Sequence, residues 1–179
     1  MTKAKQSEIR LVKPDLTHEE EVMDYKKEFE GRQDNMAGSS YLGDYDDYKK
    51  WLTFVYDNED ERTAHTEVTA SVYLAVNEEN KVVGMFNIRH DLNDYLYHYG
   101  GHIGYSVRLG ERRKGYAKEM MRQGLEKCKL LGLEKVLLVC DAVNTGSVRT
   151  IKAFGGQLEN EVMHEGELIQ RYWINISNE

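Results

Sequence analysis

Arg112, Arg113, Lys114, Gly115, Tyr116 and Ala117 place three cations and a glycine where a helix is about to begin, and that combination suits the holding of an anion. A helix start leaves its first backbone N–H groups without intrahelical partners and carries partial positive charge, and a glycine lets the backbone approach a phosphate closely. The same six residues also suit the basic first turn of an ordinary core helix. No Lys-Ser or Lys-Thr pair follows Gly115, which disfavours a nucleoside-triphosphate loop, and the spacing does not meet the glycine pattern of dinucleotide-binding turns.

Two elements must position that turn. Before it, the run from His102 to Val107 alternates, with Ile103, Tyr105 and Val107 on one face and His102, Gly104 and Ser106 on the other, which predicts a strand. After it, Ala117, Met120, Met121, Cys128 and Leu131 recur at helical spacing and Gly132 supplies a stop, which predicts a helix packed on a sheet. Val136 to Cys140 then reads as a buried strand, and Asp141 to Ser147 as the loop into a helix that ends at Gly155 and Gly156. In that loop Asn144 and Ser147 offer an amide and a hydroxyl to a ligand, though both are also ordinary turn and cap residues.

Turn, flanking elements and loop, in this order, resemble the GNAT superfamily of acyl-CoA-dependent N-acetyltransferases over about residues 80 to 176. The family signature, Gln or Arg, two residues, Gly, one residue, then Gly or Ala, is met by Arg112, Gly115 and Ala117, and its Asn-x-x-Ser pattern by Asn144 and Ser147. The Gly-Tyr-Ser-Val strand, the Arg-Lys-Gly-Tyr-Ala turn and the double-glycine ending are most similar to the branch containing ribosomal-protein N-terminal acetylases and related small-molecule acetylases. The resemblance implies acetyl-CoA (coenzyme A) as cofactor. Its pyrophosphate would lie on the turn from Arg112 through Arg113, Lys114, Gly115 and Tyr116 to Ala117, and its pantetheine arm along the backbone of Tyr105 to Val107 and beside Asn144 and Ser147. It also implies an α+β fold in which a mixed, mostly antiparallel central sheet is flanked by helices and a splayed strand pair holds the cofactor.

Acetyl transfer from a thioester to an amine needs a deprotonated amine, stabilisation of charge on the thioester oxygen and a proton for the departing sulfur. For the oxygen, the resemblance implies the backbone near Val107. Relatives often carry Glu at the position of His102, and a histidine with an ordinary pKa of ~6.5 accepts a proton at neutral pH, so His102 is the first candidate base. Its parity equally allows a surface strand histidine, and His90 and His98 are weaker candidates. Many members carry a tyrosine seven residues after the motif Asn, where this chain has Ile151. Tyr105 is then a candidate proton donor, with Tyr97, Tyr99 and solvent as alternatives.

A chain of 179 residues fits a single domain, with residues 1–66 giving acceptor-side helices and loops and 67–179 the cofactor-binding core. The apolar pattern predicts a strand near Glu8 to Lys13, a helix from about His18 to Glu30, a polar loop from Gly31 to Gly43 and a second helix from Tyr45 to Tyr56. Val68, Ala70, Val72, Leu74 and Val76 alternate, and Glu78 to Asn80 turns the chain into a strand from Val82 to Ile88. Arg89 to Gly101 is rich in Tyr and His for a connection. A last hairpin pairs Leu158 to His164 with Leu168 to Ile176.

No apolar run approaches the ~18 residues of a membrane span, and the start from Met1 to Glu8 lacks the apolar core of a signal peptide, so a soluble, cytoplasmic protein is expected, without a membrane partner. Cys128 and Cys140 lack zinc-site spacing, which points to reduced structural thiols and no metal. The net charge of −7 disfavours nucleic acid and favours a cationic substrate. Asp44, Asp46 and Asp47, with Tyr41, Tyr45, Tyr48 and Trp51, suit an acidic, aromatic mouth for an amine, or else caps and core; Asp91 and Asp94 lie in the later connection. Many relatives dimerise, so a homodimer is possible. The expected function is an N-acetyltransferase moving acetyl to a primary amine of a small molecule or peptide by direct attack in a ternary complex. The alternatives are an acyl-CoA-binding sensor or interaction module without the chemistry, and a phosphate- or nucleotide-binding domain unrelated to CoA.

Overall fold

The apolar periods of the chain become seven strands and four α-helices in a computed structural model that describes residues 8–177. Met1 to Ser7, on which most of the leader reading rests, lie outside the described residues. One sheet has the order β1 (Ile9–Val12), β2 (Ala70–Asn77), β3 (Val82–Arg89), β4 (Ile103–Val107). The other has β5 (Lys135–Asp141), β7 (Glu167–Asn175), β6 (Gln157–His164), and all the ladders are antiparallel. The helices are α1 (Glu19–Phe29), α2 (Tyr48–Asp57), α3 (Tyr116–Leu130) and α4 (Thr145–Ala153).

The first sheet is covered on both faces. Val72, Leu74 and Val76 of β2 join the cluster of α1 and α2 around Val22, Tyr25 and Trp51, whereas Tyr73 and Ala75 join the cluster of α3 around Met120 and Met121. The period of two in β2 therefore divides residues between two cores instead of between core and solvent. Gly124 lets α3 lie flush on the sheet, since a Cβ there would stand 2.2 Å from the Phe86 ring.

The second helix starts at Tyr48, not Tyr45, because the Asp47 carboxylate caps it by accepting the N–H groups of Lys49 and Lys50. Tyr48 and Trp51 are fully buried, so these two belong to the core and not to an amine-binding mouth. Within the connection from Arg89 to Gly101 the chain forms a π-helical turn, Leu96–Gly100. Among the described residues no helix is long and apolar enough to cross a membrane.

The two sheets meet where β4 begins. Gly101 bridges Leu138, the His102 N–H donates to the Leu137 carbonyl at 2.7 Å, and the Leu137 N–H donates to Nδ1 of His102 at 2.9 Å. Beyond that point β4 pairs with β3 and β5 with β7. Arg89 N–H bonds the His102 carbonyl and Arg108 N–H bonds the Val83 carbonyl, which sets the parity of β4. By that alternation the N–H and C=O groups of Tyr105 and Val107 turn away from β3, toward the gap that separates β4 from β5.

Candidate functional site

The cationic turn lies at the far end of β4. Gly115 is the N-cap of the 15-residue helix α3 with φ +85°, and Arg113 also has a positive φ, +63°. A Cβ on Gly115 would meet nothing within 4 Å and would project into the open space before the helix N-terminus. The backbone conformation of Gly115 thus favours glycine, and the open space beside it suits an anion. Arg113 and Lys114 are exposed beside it. Arg112 donates from Nε to the Val107 carbonyl at 3.1 Å and pairs with Asp34 at 3.5 Å, while the Lys114 ammonium lies 2.7 Å from Glu111. Tyr116 and Ala117 pack their side chains against the α3 core.

The approach to the turn is held by a residue that the sequence analysis did not single out. Arg108 is buried, contacts Asp24 at 2.5 Å and Glu28 at 3.3 Å, and donates to the Val82 carbonyl; Glu28 also accepts the Gly110 N–H at 2.8 Å. The available signal was on α1, where Asp24 and Glu28 fall at i and i+4 on one face and call for a cation.

Along the gap, the structure brings Tyr105 and Ser147 together across 42 residues, with the phenol donating to the Ser147 hydroxyl at 3.1 Å. Burial pushes the Tyr105 phenol above its usual pKa. Asn144 caps α4, its Oδ1 accepting the Ser147 N–H at 3.1 Å. Ile151 is core, so no hydroxyl stands at that position.

His102 is buried, not a surface strand histidine. With Nδ1 accepting from Leu137, the ring proton sits on Nε2. Desolvation lowers its pKa to about 4. His90 lies between the hydroxyls of Thr69 and Ser71, each at 2.8 Å, and His98 contacts the Asp94 carbonyl.

At the start of β4 an open cleft of about 1080 Å³ reaches Ile103 and Gly104 on β4 and Val139 on β5. One wall comes from residues 34–41, Gly43 and Asp44 with Phe54 of α2 and His65 in the following loop. The other carries Asn87 and Arg89 of β3 with Tyr95 and Tyr99. Of the expected mouth, Tyr41 and Asp44 line it; Asp46 lies near Lys26, at 3.7 Å. Arg89, whose pKa is lowered by burial, donates to the Gly100 and Gly101 carbonyls and so fixes the π-helical turn over the cleft.

A family model described as the acetyltransferase (GNAT) family matches residues 26–155. No match was found among curated protein sequences. A chimera of the spermidine N-acetyltransferase SpeG of Vibrio cholerae with hSSAT superposes with a TM-score of 0.66 at 13% identity, covering 95% of this chain and 97% of that one. A GnaT-family acetyltransferase from Bordetella pertussis, so named provisionally, gives 0.66 at 13%, covering 93% and 95%. A candidate ribosomal-protein-serine acetyltransferase from Vibrio cholerae gives 0.62 at 18%, covering 96% and 95%. At such identities the likeness is one of fold.

Proposed function

The chain belongs to the GNAT acetyltransferase family, and on that premise we propose that it transfers the acetyl group of acetyl-CoA to a primary amine of a small molecule or peptide, by direct attack within a ternary complex. The observation that carries this reading is the position of β4 between two sites. An anion-suited turn follows its last residue, an open cleft touches its first, and the gap beside it leads from one to the other. The five residues of the strand span about 14 Å, which calls for an elongated ligand with phosphates at one end and its reactive group at the other.

In this reading the N–H groups after Gly115, with Arg112, Arg113 and Lys114, hold the pyrophosphate, and the backbone of Tyr105 and Val107 holds the arm together with Asn144 and Ser147. Acetyl-CoA supplies an activated acetyl thioester. Tyr105 keeps a proton at Oη at neutral pH, because its burial raises the phenol pKa, and this reading assigns it to pass one to a departing sulfur. His102 is better suited to position than to proton transfer, since its free ring nitrogen is protonated and its pKa is low. The amine then loses its proton in the cleft, whose lining includes the imidazole of His65 and the carboxylates of Asp44 and Glu67.

Those carboxylates, with the rings of Tyr41, Tyr95 and Tyr99, favour a cationic acceptor. Of the acceptor-side segment 1–66, residues between Phe29 and Thr66 line the cleft, and the segment from 67 onward would hold the cofactor, its first sheet joined by β1. Two free cysteines suit a reducing, cytoplasmic setting.

Thiol release from acetyl-CoA, measured with spermidine, phenethylamine and a tetrapeptide bearing a free N-terminus, tests the proposal. Amine-dependent release supports it. CoA binding without release on any acceptor favours the sensor, and no CoA binding overturns the cofactor assignment.

A further inference from the structure

One wall of the cleft is built from backbone in an uncommon conformation. Ser40 and Tyr41 are consecutive non-glycine residues with φ +48° and +62°, and Gly38, two residues earlier, has φ +82°. Left-handed backbone is unfavourable for residues with a Cβ, and it persists where the surroundings over-determine it. Here they do. Gly38 lies flush on β4, where a Cβ would stand 2.5 Å from the Gly104 carbonyl oxygen. The Trp51 indole donates to the Ser39 and Ser40 carbonyls at 3.0 and 3.2 Å.

Asn87 completes the clamp. It is a buried amide in the middle of β3, and both of its ends are used: Oδ1 accepts the Gly104 N–H at 3.0 Å, and Nδ2 donates to the Ser40 hydroxyl at 3.2 Å. A polar side chain thus ties the strand at the cleft floor to the wall above it. The turn spends this order on one side chain. Tyr41 is 62% exposed, its ring standing edge-on to Phe54 at 5.8 Å and lining the cleft. Packing does not account for so exposed a ring at the end of so constrained a turn.

We infer that Tyr41 is the residue that reads the acceptor, its ring forming the face against which the amine's cationic head or adjoining carbon chain lies, and that Asn87 and Ser40 are positioning residues that hold it there. This deepens the acetyltransferase reading and rests on it. The acceptor class is an amine recognised by an aromatic surface, beside the carboxylates of the cleft.

The test uses the full chain, acetyl-CoA and the same three acceptors, with KM for each acceptor, kcat, CoA affinity by calorimetry and the melting temperature as readouts. Tyr41→Ala raises the KM of whichever acceptors turn over by about five-fold or more, as loss of a cation–π or stacking contact requires, while CoA affinity stays within about two-fold. Tyr41→Phe, which keeps the ring, restores the wild-type KM. Ser40→Ala, which removes the hydroxyl that Asn87 grips, raises acceptor KM in the same direction with the melting temperature nearly unchanged. Acceptor KM values that do not move in Tyr41→Ala and Ser40→Ala, or that move in step with CoA affinity, overturn the inference while leaving the acetyltransferase reading in place. Absence of thiol release from wild-type protein overturns both.

Discussion

His102 and Leu137 exchange two hydrogen bonds, one from each backbone N–H, and the bond to His102 ends on the ring nitrogen and not on a carbonyl. The pair fastens the two sheets at the apex of the gap between β4 and β5. Because the ring must offer a lone pair there, the native state favours neutral imidazole.

The sign of the pH dependence follows. A histidine held near 4, below its usual value near ~6.5, contributes stability that is full above ~6.5 and is lost as pH falls toward 4. Urea unfolding at pH 7 and pH 4.5 should show His102→Gln with a flatter pH response than wild type, by on the order of 2 kcal/mol. A kcat/KM limb near pH 6.5 that disappears in His102→Gln would instead make this residue the base.

Gly115→Glu separates binding from folding. Replacing a left-handed glycine costs about 1 kcal/mol, visible as a small drop in melting temperature. The new carboxylate projects to where phosphate would sit, so CoA affinity measured by calorimetry should fall by about 100-fold or more.

Tyr105→Phe removes the proton and the bond to Ser147 while keeping the ring. Single-turnover rates should fall by about 10- to 100-fold with CoA affinity within about two-fold. An unchanged rate would assign the proton to solvent.

Gly124→Ala tests the contact of α3 with the sheet. The added methyl group meets the Phe86 ring, and overpacking should lower stability by about 1–3 kcal/mol in chemical denaturation, with activity retained by the folded fraction.

What the sequence disclosed depends on distance along the chain. The turn at Gly115, the cap at Asn144 and the parity of Ile103, Tyr105 and Val107 are local matters, fixed by a helix start, a side chain reaching three residues on and a period of two. The family resemblance supplied their meaning. Tyr48 and Trp51 stayed open between mouth and core because an aromatic on a helix next to aspartates reads alike whether it points into solvent or core, and burial decided for the core. The cleft wall was illegible for another reason. Asn87 meets Ser40 across 47 residues and His102 meets Leu137 across 35, so no window of sequence contains both partners. The left-handed turn at Ser40 and Tyr41 contradicts local preference and stands because tertiary contacts outweigh it.

The gap between β4 and β5 makes the fold's durability a matter of supply as well as of sequence. Two strand edges face each other there without a ladder, and an elongated molecule that paired with them, as proposed for the cofactor, would stabilise the native chain in proportion to the logarithm of its concentration above its dissociation constant. Where degradation proceeds from transiently opened chains, the lifetime of this protein should lengthen and shorten with the abundance of its own ligand, without a dedicated regulatory element.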